Sequence, residues 1–252
     1  RGPGKSLRTL YTSAGASQTN TVTSFDMDGI TLGTDTGGLG INSFTYTSAK
    51  YLFRRAPGFM DVVAYTGTGS SQNITHNLAV IPKLMIIKTI NVTSQWMVYT
   101  STIDGSNDYL VLNNTNAKAD SSLTVPTSTS IILNTSSGFV NGSGTNYISY
   151  LFATLAGISK VGTYSGTGSD VNVDCGFTSG ARFVMIKRTN STGDWYVFDS
   201  ARGIVSGNDP YTLLNTAAAE VTNTDYIDPL NAGFTVTSSA PAGLNYSGGT
   251  YL

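Results

Sequence analysis

A long internal repeat is the feature that most constrains how this chain can fold. The stretch "YTGTGS" begins at Tyr65, and the closely similar "YSGTGS" begins at Tyr164, 99 positions later. At the same shift Trp96 aligns with Trp195. Self-similarity at a fixed period is the signature of repeated structural units. The sequence therefore predicts tandem modules of about 100 residues, an ordinary size for a domain.

The similarity extends well beyond the glycine stretches, with small changes in the shift. "LNNT" (Leu112–Thr115) matches "LLNT" (Leu213–Thr216), and "SGFV" (Ser137–Val140) matches "AGFT" (Ala232–Thr235). A drifting shift is expected when homologous units differ by insertions and deletions in their loops. We therefore interpret the two copies as related domains with loops of different length.

A third, partial copy is indicated at the front of the chain. Tyr-Leu pairs occur at Tyr51, Tyr150 and Tyr251, and the first two continue into Phe. We expect the front to hold the end of a preceding repeat and the last repeat to be truncated at its final strand. The expected boundaries are residues 1–60 for the N-terminal segment, 61–160 for one β-sandwich repeat and 161–252 for the second.

The glycine stretches invite comparison with phosphate-binding loops. A dinucleotide fingerprint needs a strand before it and a helix after it. The stretch that follows Ser169, "DVNVDCGFTSG", alternates with period two and is typical of a strand. "GPGKS" at residues 2–6 lacks the glycine that a phosphate loop carries four residues before its Gly-Lys pair. We interpret these glycines as turn residues and expect no cofactor.

Paired apolar runs predict β-hairpins in both copies. "LMIIK" (Leu84–Lys88) and "FVMIK" (Phe183–Lys187) are short, continuous and rich in β-branched residues, which favours buried strands. A polar turn follows each run. "WMVYT" (Trp96–Thr100) and "WYVFD" (Trp195–Asp199) then read as the returning strands.

Composition favours the same fold class. Only 12% of the residues are charged, Glu220 is the single glutamate, and there are 28 Gly and 14 Tyr. Long soluble helices depend on Glu, Lys and Arg, whereas this mixture suits short strands and tight turns. We predict an all-β protein of tandem antiparallel β-sandwich modules, jelly-roll or lectin-like. The one helix that we expect is a short one near Leu213–Glu220, "LLNTAAAE".

Candidate catalytic and metal-binding residues are sparse. His76, the only histidine, aligns with Cys175, the only cysteine, so one slot holds either residue and we interpret it as a packing or loop position. Catalysis and zinc binding both need partnered ligands or bases, which the pattern does not supply. "DGSND" (Asp104–Asp108) lacks the Gly and Glu of a calcium loop. We predict no catalytic, cofactor-binding or metal-binding residues and no enzyme activity.

Trp96 and Trp195 are the two residues that could bind a ligand, as stacking platforms for sugars. Because both open a strand at the same place in each copy, a role in the core is the favoured alternative. The net charge of −1 and the lack of a basic block exclude a nucleic-acid surface. No apolar run approaches the roughly 20 residues of a membrane span. A secreted protein of this size could manage without a disulfide, but the single cysteine fits assembly in a reducing cytoplasm at least as well.

The combined motifs resemble a known family. "HNLAVIPKLMIIK" (His76–Lys88), the paired glycine turns, "FVMIKRTNSTGDWYVFDSARG" (Phe183–Gly203) and the junction "YLFRRAPGFMDVVAYTGTG" (Tyr51–Gly69) resemble a tandem β-repeat family of bacteriophage tail fibres and tail-associated virion proteins, of the marine-phage type. The resemblance covers nearly all of residues 24–252. The second copy departs from it in lacking an equivalent of Pro82.

The resemblance implies a structural, non-catalytic virion protein, assembled in the host cytoplasm. It implies a homotrimeric tail fibre or tail-associated adhesin that contacts other tail proteins and a glycan or receptor on the host surface. Three alternatives stay open. A capsid decoration or head fibre protein would bury apolar faces between subunits. A carbohydrate-binding module of a secreted protein would expose aromatic rings in a groove, and a glycan depolymerase would place two carboxylates there.

Overall fold

In a computed structural model the chain is described over residues 5–9, 11–17, 21–34, 41–42 and 48–252. The glycines of "GPGKS" at residues 2 and 4, and residues 43–47 of the partial copy at the front, lie outside the described residues. The described residues form short strands and one helical turn. These are β1 (Lys5–Ser6), β2 (Ala16–Ser17), β3 (Val22–Phe25), β4 (Ile30–Leu32), β5 (Met60–Thr66), β6 (Gln72–Thr75), β7 (Leu84–Thr89), β8 (Met97–Thr100), β9 (Asp108–Val111), β10 (Ala119–Asp120), β11 (Ser130–Leu133), β12 (Asn146–Phe152), β13 (Tyr164–Ser165), β14 (Val171–Asp174), β15 (Phe183–Lys187), β16 (Trp195–Asp199), β17 (Tyr211–Leu213), β18 (Ile227–Leu230), β19 (Gly233–Val236), α1 (Ala242–Asn245) and β20 (Thr250–Tyr251).

The strands pair antiparallel throughout the described residues, which confirms the all-β fold class. We call β5–β12 the first strand series and β13–β20 the second. The main sheet of the first series has the order β10-β9-β8-β7-β12-β5. In the second series, reciprocal backbone hydrogen bonds of 2.9 Å between Lys187 and Leu252 join β15 to the end of β20. This gives the order β13-β20-β15-β16-β17, which matches β5-β12-β7-β8-β9 strand for strand.

A second, smaller sheet covers one face of each main sheet. It consists of β11 and β6 in the first series and of β14, β19 and β18 in the second. Side chains from both layers share one core, which is the arrangement of a β-sandwich. The first core includes Met85, Ile87, Tyr99, Ile131, Leu133 and Tyr147, and the second includes Val184, Ile186, Phe198, Ile227, Phe234 and Val236.

The predicted hairpins are present. β7 pairs with β8 from Leu84 opposite Thr100, and β15 pairs with β16 from Phe183 opposite Asp199. The helix predicted near Leu213–Glu220 is wrong. Leu213 instead ends β17, and the residues after it continue without helix because a short alanine-rich stretch cannot nucleate a helix against competing tertiary contacts.

Buried asparagines explain the repeated glycine turns. The amide of Asn141 accepts from Thr68 N (3.0 Å) and donates to Ser70 O (2.8 Å), so the "YTGTGS" turn wraps around it. Asn245 makes the equivalent bonds in the second copy. A Cβ on Gly67 would lie 2.8 Å from the carbonyl carbon of Asn141, and only glycine leaves room for so close a backbone approach. These glycines serve turns, with strand β6 rather than a helix following the first of them.

The tyrosine alignment needs a correction. Tyr65 stacks on Tyr147 with ring centroids 5.0 Å apart, and Tyr164 stacks on Tyr251 at 4.8 Å. The structure therefore makes Tyr251 the counterpart of Tyr147, not of Tyr150. The sequence match failed because a Tyr-Leu pair is too short to fix the register of a strand. The boundaries near residues 60 and 160 stay a prediction.

Candidate functional site

The two tryptophans are the residues that the sequence singled out, and the structure buries both. Trp96 exposes 5% of its surface and Trp195 exposes 1%. A sugar needs an open ring face, so neither indole can act as a stacking platform here. Each indole lies in one apolar cluster that both strand series share, together with Leu110, Leu112 and Val98.

Each indole binds a segment from the preceding part of the chain. Trp96 Nε1 donates to Arg8 O at 2.8 Å, and Trp195 Nε1 donates to Val111 O at 3.0 Å. Tyr and Trp polar groups usually find such a partner when they are buried. We call residues 8–9 with 11–15 the first acceptor segment, and residues 111–118 the second.

An asparagine holds the start of each tryptophan strand. Asn113 Oδ1 accepts from Trp96 N at 2.9 Å, and Asn215 Oδ1 accepts from Trp195 N at 2.9 Å. These bonds place Asn113 opposite Asn215, a shift of 102. The match of "LNNT" with "LLNT" is therefore out by one residue, because the repeated asparagine allowed two alignments.

A buried lysine accompanies each tryptophan. Lys88 Nζ donates to Thr12 O at 2.9 Å, and Lys187 Nζ donates to Thr115 O at 3.2 Å. Both lysine side chains are fully buried. Loss of solvation lowers the pKa of Lys187 to about 8. We call β7–β8 with Lys88 and Trp96, and β15–β16 with Lys187 and Trp195, the Trp–Lys hairpins.

Sequence reasoning aligned these lysines but assigned them no role. A lysine that closes an apolar strand is an available signal, because lysine is rarely fully buried unless it has a partner. The partner could not be read from the sequence, since Thr12 lies 76 positions before Lys88 and Thr115 lies 72 positions before Lys187.

We call the contact between a Trp–Lys hairpin and its acceptor segment a joint. Backbone hydrogen bonds complete the match between the two joints. In each joint, one amide of the hairpin turn donates to the acceptor segment and one carbonyl after the hairpin strand accepts from it. The bonds are Ser94 N to Thr12 O (2.8 Å), Gly15 N to Ile90 O (2.8 Å), Gly193 N to Thr115 O (2.9 Å) and Lys118 N to Thr189 O (2.8 Å).

Further contacts link the second strand series back to the N-terminal segment. Thr9 Oγ1 donates to Leu214 O at 2.9 Å. Tyr51 Oη donates to Asp199 at 2.8 Å and accepts from Arg202 at 2.8 Å. The N-terminal segment thus contacts the first series, the first contacts the second, and the second contacts the N-terminal segment again. These contacts form a closed cycle.

An aromatic pocket lies on the first strand series, with a volume of about 340 Å³. Tyr99, Tyr109 and Phe139 supply its rings, and Asn116 and Asp120 are among its polar walls. Phe139 is 46% exposed, in contrast to the tryptophans. Burial, with the neighbouring ring of Tyr109, raises the pKa of Tyr99, so its phenol stays neutral and can donate or accept a hydrogen bond.

A charged cluster borders this pocket. Lys118 Nζ contacts the carboxylates of Asp104 and Asp108, each at 2.7 Å, and that of Asp120 at 3.5 Å. The hydrogen bonds that Lys118 Nζ donates to Asp104 and Asp108 raise the pKa of Lys118. Asp104 also accepts from Ser106 N at 3.0 Å, so "DGSND" is a turn whose carboxylates face a lysine.

His76 and Cys175 occupy equivalent strand ends. His76 N donates to Thr129 O at 2.9 Å, and Cys175 N donates to Ala232 O at 2.8 Å. The imidazole Nδ1 of His76 accepts from Leu78 N at 3.3 Å, and burial lowers its pKa. The ring therefore serves as a neutral hydrogen-bonding group in the core of the first series.

Within the described ranges, no group of three or more His, Cys, Asp or Glu side chains could hold a metal ion. No helix in that part of the chain is long and apolar enough to cross a membrane.

Comparisons with known proteins gave one match. A protein-family model described as "Domain of unknown function (DUF7483)" matches residues 1–252. No curated protein and no solved structure matches the chain.

Proposed function

The chain belongs to the DUF7483 family, and from that premise we propose that it is a structural, non-catalytic virion protein. Its place is a phage tail fibre or tail-associated adhesin that contacts the host cell surface. It works as a homo-oligomer, a trimer in the proposed fibre, alongside other tail proteins. The particle is assembled in the host cytoplasm.

The observation that carries the proposal is the pair of Trp–Lys joints. The polar groups on the Trp96 and Trp195 indoles, and on the lysines beside them, are used to hold one part of the chain against the next. Buried, hydrogen-bonded joints of this kind suit a protein that transmits load and keeps its shape. The resemblance to tail-fibre repeats in the sequence points the same way.

The aromatic pocket supports a second function, the binding of a surface glycan. Phe139 offers an exposed ring, while Asn116 and Asp120 offer an amide and a carboxylate at the same pocket. Sugar recognition combines an apolar ring face with a few placed polar groups. We assign host-surface contact to this pocket rather than to the tryptophans.

Imaging of intact particles tests the virion role. Phage particles that carry this chain would be labelled with an antibody against it and examined by electron microscopy. We expect label on the tail appendages. Label spread over the head would replace the fibre role with capsid decoration. Particles without label would remove the virion role and favour a secreted carbohydrate-binding protein.

A glycan array tests the pocket separately. The wild-type chain would be compared with Phe139→Ala and with Phe25→Ala, which truncates an exposed phenylalanine on β3, outside the pocket. We expect a glycan signal that Phe139→Ala removes and Phe25→Ala retains. Equal signals from both variants, or no glycan signal from the wild type, would contradict a sugar-binding pocket.

A further inference from the structure

Residues 213–220 correspond in position to the second acceptor segment, and we call them the third acceptor segment. Asn215 holds the start of the Trp195 strand as Asn113 holds that of Trp96, which fixes the correspondence at 102 positions. In the second acceptor segment, a Trp–Lys hairpin binds three backbone groups: Val111 O, Thr115 O and Lys118 N. Their counterparts are Leu213 O, Ala217 O and Glu220 N. None of these three has a hydrogen-bond partner among the described residues.

The carbonyl of Leu213 points away from its own sheet. Leu214 N donates to Trp195 O at 3.1 Å, so these two residues stand at a hydrogen-bonding position at the end of the ladder, joined by this one bond. Leu213 stands opposite Tyr196 in the next, non-hydrogen-bonded pair. Residues in such pairs direct their N–H and C=O groups outward. Val111, opposite Met97, has the same geometry, and its carbonyl receives the Trp195 indole.

A strand edge supplies a second, independent observation. β1 pairs with β2 through Lys5 opposite Ser17, and β9 pairs with β10 through Asp108 opposite Asp120. The two ladders correspond at a shift of 103, residue for residue. The other edge of β9 is covered by β8, a strand of a Trp–Lys hairpin. The other edge of β1 has no strand partner within the described part of the chain.

The β1 edge and the third acceptor segment lie near each other, because Thr9 Oγ1 donates to Leu214 O at 2.9 Å. One hairpin could therefore pair with the edge of β1 and also bind the backbone groups of the third acceptor segment. Its returning strand would extend the β1 ladder as β8 extends that of β9, and its Trp and Lys would reach Leu213 O and Ala217 O.

We propose that residues 213–220, together with the free edge of β1, form a docking site for a third Trp–Lys hairpin. The occupant is a β-hairpin of this family with lysine and tryptophan eight positions apart, as in Lys88–Trp96 and Lys187–Trp195. The second strand series and the N-terminal segment already contact each other, but without a Trp–Lys hairpin between them. The docked hairpin would supply that joint. The cycle then consists of three equivalent joints, and the docking site stands whether or not the protein is a virion component.

An extended chain tests the docking site directly. A copy of residues 82–103, which contain the first Trp–Lys hairpin, is fused immediately before Arg1. Because Lys5 corresponds to Asp108, the fusion places the copied hairpin in the register that β7–β8 has to β9. We expect the Glu220 amide to exchange with deuterium at least about tenfold more slowly in the extended chain, since the docked hairpin would cover it.

Two matched extensions identify the cause of any protection. One carries Trp96→Ala in the copy and the other carries Lys88→Ala in the copy, while the native hairpins are unchanged. The proposal requires protection of Glu220 that the copied tryptophan controls, whether the hairpin docks on its own chain or on a neighbouring one. Equal exchange at Glu220 in the extended, the variant and the unextended chains would overturn it. Unchanged exchange at Thr189 verifies that the host chain is folded throughout.

Discussion

The indole of Trp195 donates a hydrogen bond to the backbone carbonyl of Val111, 3.0 Å away and 84 residues earlier in the chain. The indole of Trp96 makes the same bond to Arg8, at 2.8 Å and across 88 residues. Equivalent tryptophans in the two strand series thus make equivalent long-range hydrogen bonds. Both joints between successive parts of the chain contain this bond.

Replacement of Trp195 should separate packing from hydrogen bonding. Trp195→Ala should lower the free energy of unfolding by about 3–5 kcal/mol, because a fully buried aromatic ring is lost. Trp195→Phe retains most of the apolar contact and should cost about 1–2 kcal/mol, largely the indole hydrogen bond. Urea unfolding measures both, with the exposed Ile158→Ala as control. Equal stability of Trp195→Phe and wild type would show that the bond to Val111 contributes nothing.

Lys187 should make stability rise with pH in the alkaline range. Burial lowers its pKa from 10.5 to about 8, so between these values the unfolded chain binds more protons than the folded one. Stability from this group is therefore present above pH 10.5 and is lost as the pH falls through 8. Lys187→Met should remove that slope. Thermal unfolding of both proteins from pH 7.5 to 10 gives the difference, and parallel curves would contradict a lowered pKa of Lys187.

The hairpins were predictable because both strands carry a local signal. Leu84–Lys88 and Phe183–Lys187 are continuous apolar runs, and a polar turn precedes each tryptophan strand. Such short-range patterns identify strands whatever the rest of the chain does. The all-β fold class follows from the same signals and from the scarcity of charged helix-forming residues.

The joints were not predictable because their partners are remote. Nothing near Lys88 or Trp96 in the sequence indicates that Thr12 and Arg8 lie against them. The alanines after Leu213 favour a helix by propensity, yet Leu213 pairs with Tyr196 instead. Tertiary contacts determine the conformation at such positions. A sequence pattern identifies a second joint only when the residues of the first joint are known and can be aligned with it.

Asp209 should lower the free energy of unfolding as the pH rises toward neutrality. Its side chain is fully buried, and burial, with some repulsion from Asp225 and Asp228, raises its pKa from 3.8 to about 7. A raised carboxyl pKa favours the protonated folded state, so its stability is present below pH 3.8 and is lost as the pH passes through 7. Asn107 holds the equivalent position before β9 and donates through Nδ2 to Leu123 O at 3.1 Å, whereas both oxygens of Asp209 accept from backbone N–H groups of Tyr226 and Ile227.

Asp209→Asn removes the titrating group and should therefore flatten the decline in stability between pH 4 and pH 7. Chemical unfolding at pH 4, 5.5, 7 and 8 measures this. Asp174→Asn, which makes the same substitution at an exposed carboxylate on β14, is the matched control. A wild-type decline that persists in Asp209→Asn would place the responsible group elsewhere.

The glycine turns should tolerate no side chain where the backbones meet. A Cβ at Gly67 would lie 2.8 Å from the carbonyl carbon of Asn141, and one at Gly166 would lie 2.9 Å from Tyr251 Cε2. Gly67→Ala should cost about 1–3 kcal/mol, because the overpacked turn must move off the asparagine that it wraps. Gly138→Ala is the control, since Gly138 has an ordinary φ and open space around it. Denaturant unfolding should therefore give a lower free energy of unfolding for Gly67→Ala and a value near that of the wild type for Gly138→Ala. Equal effects of the two substitutions would mean that the turn closes by some means other than close backbone contact.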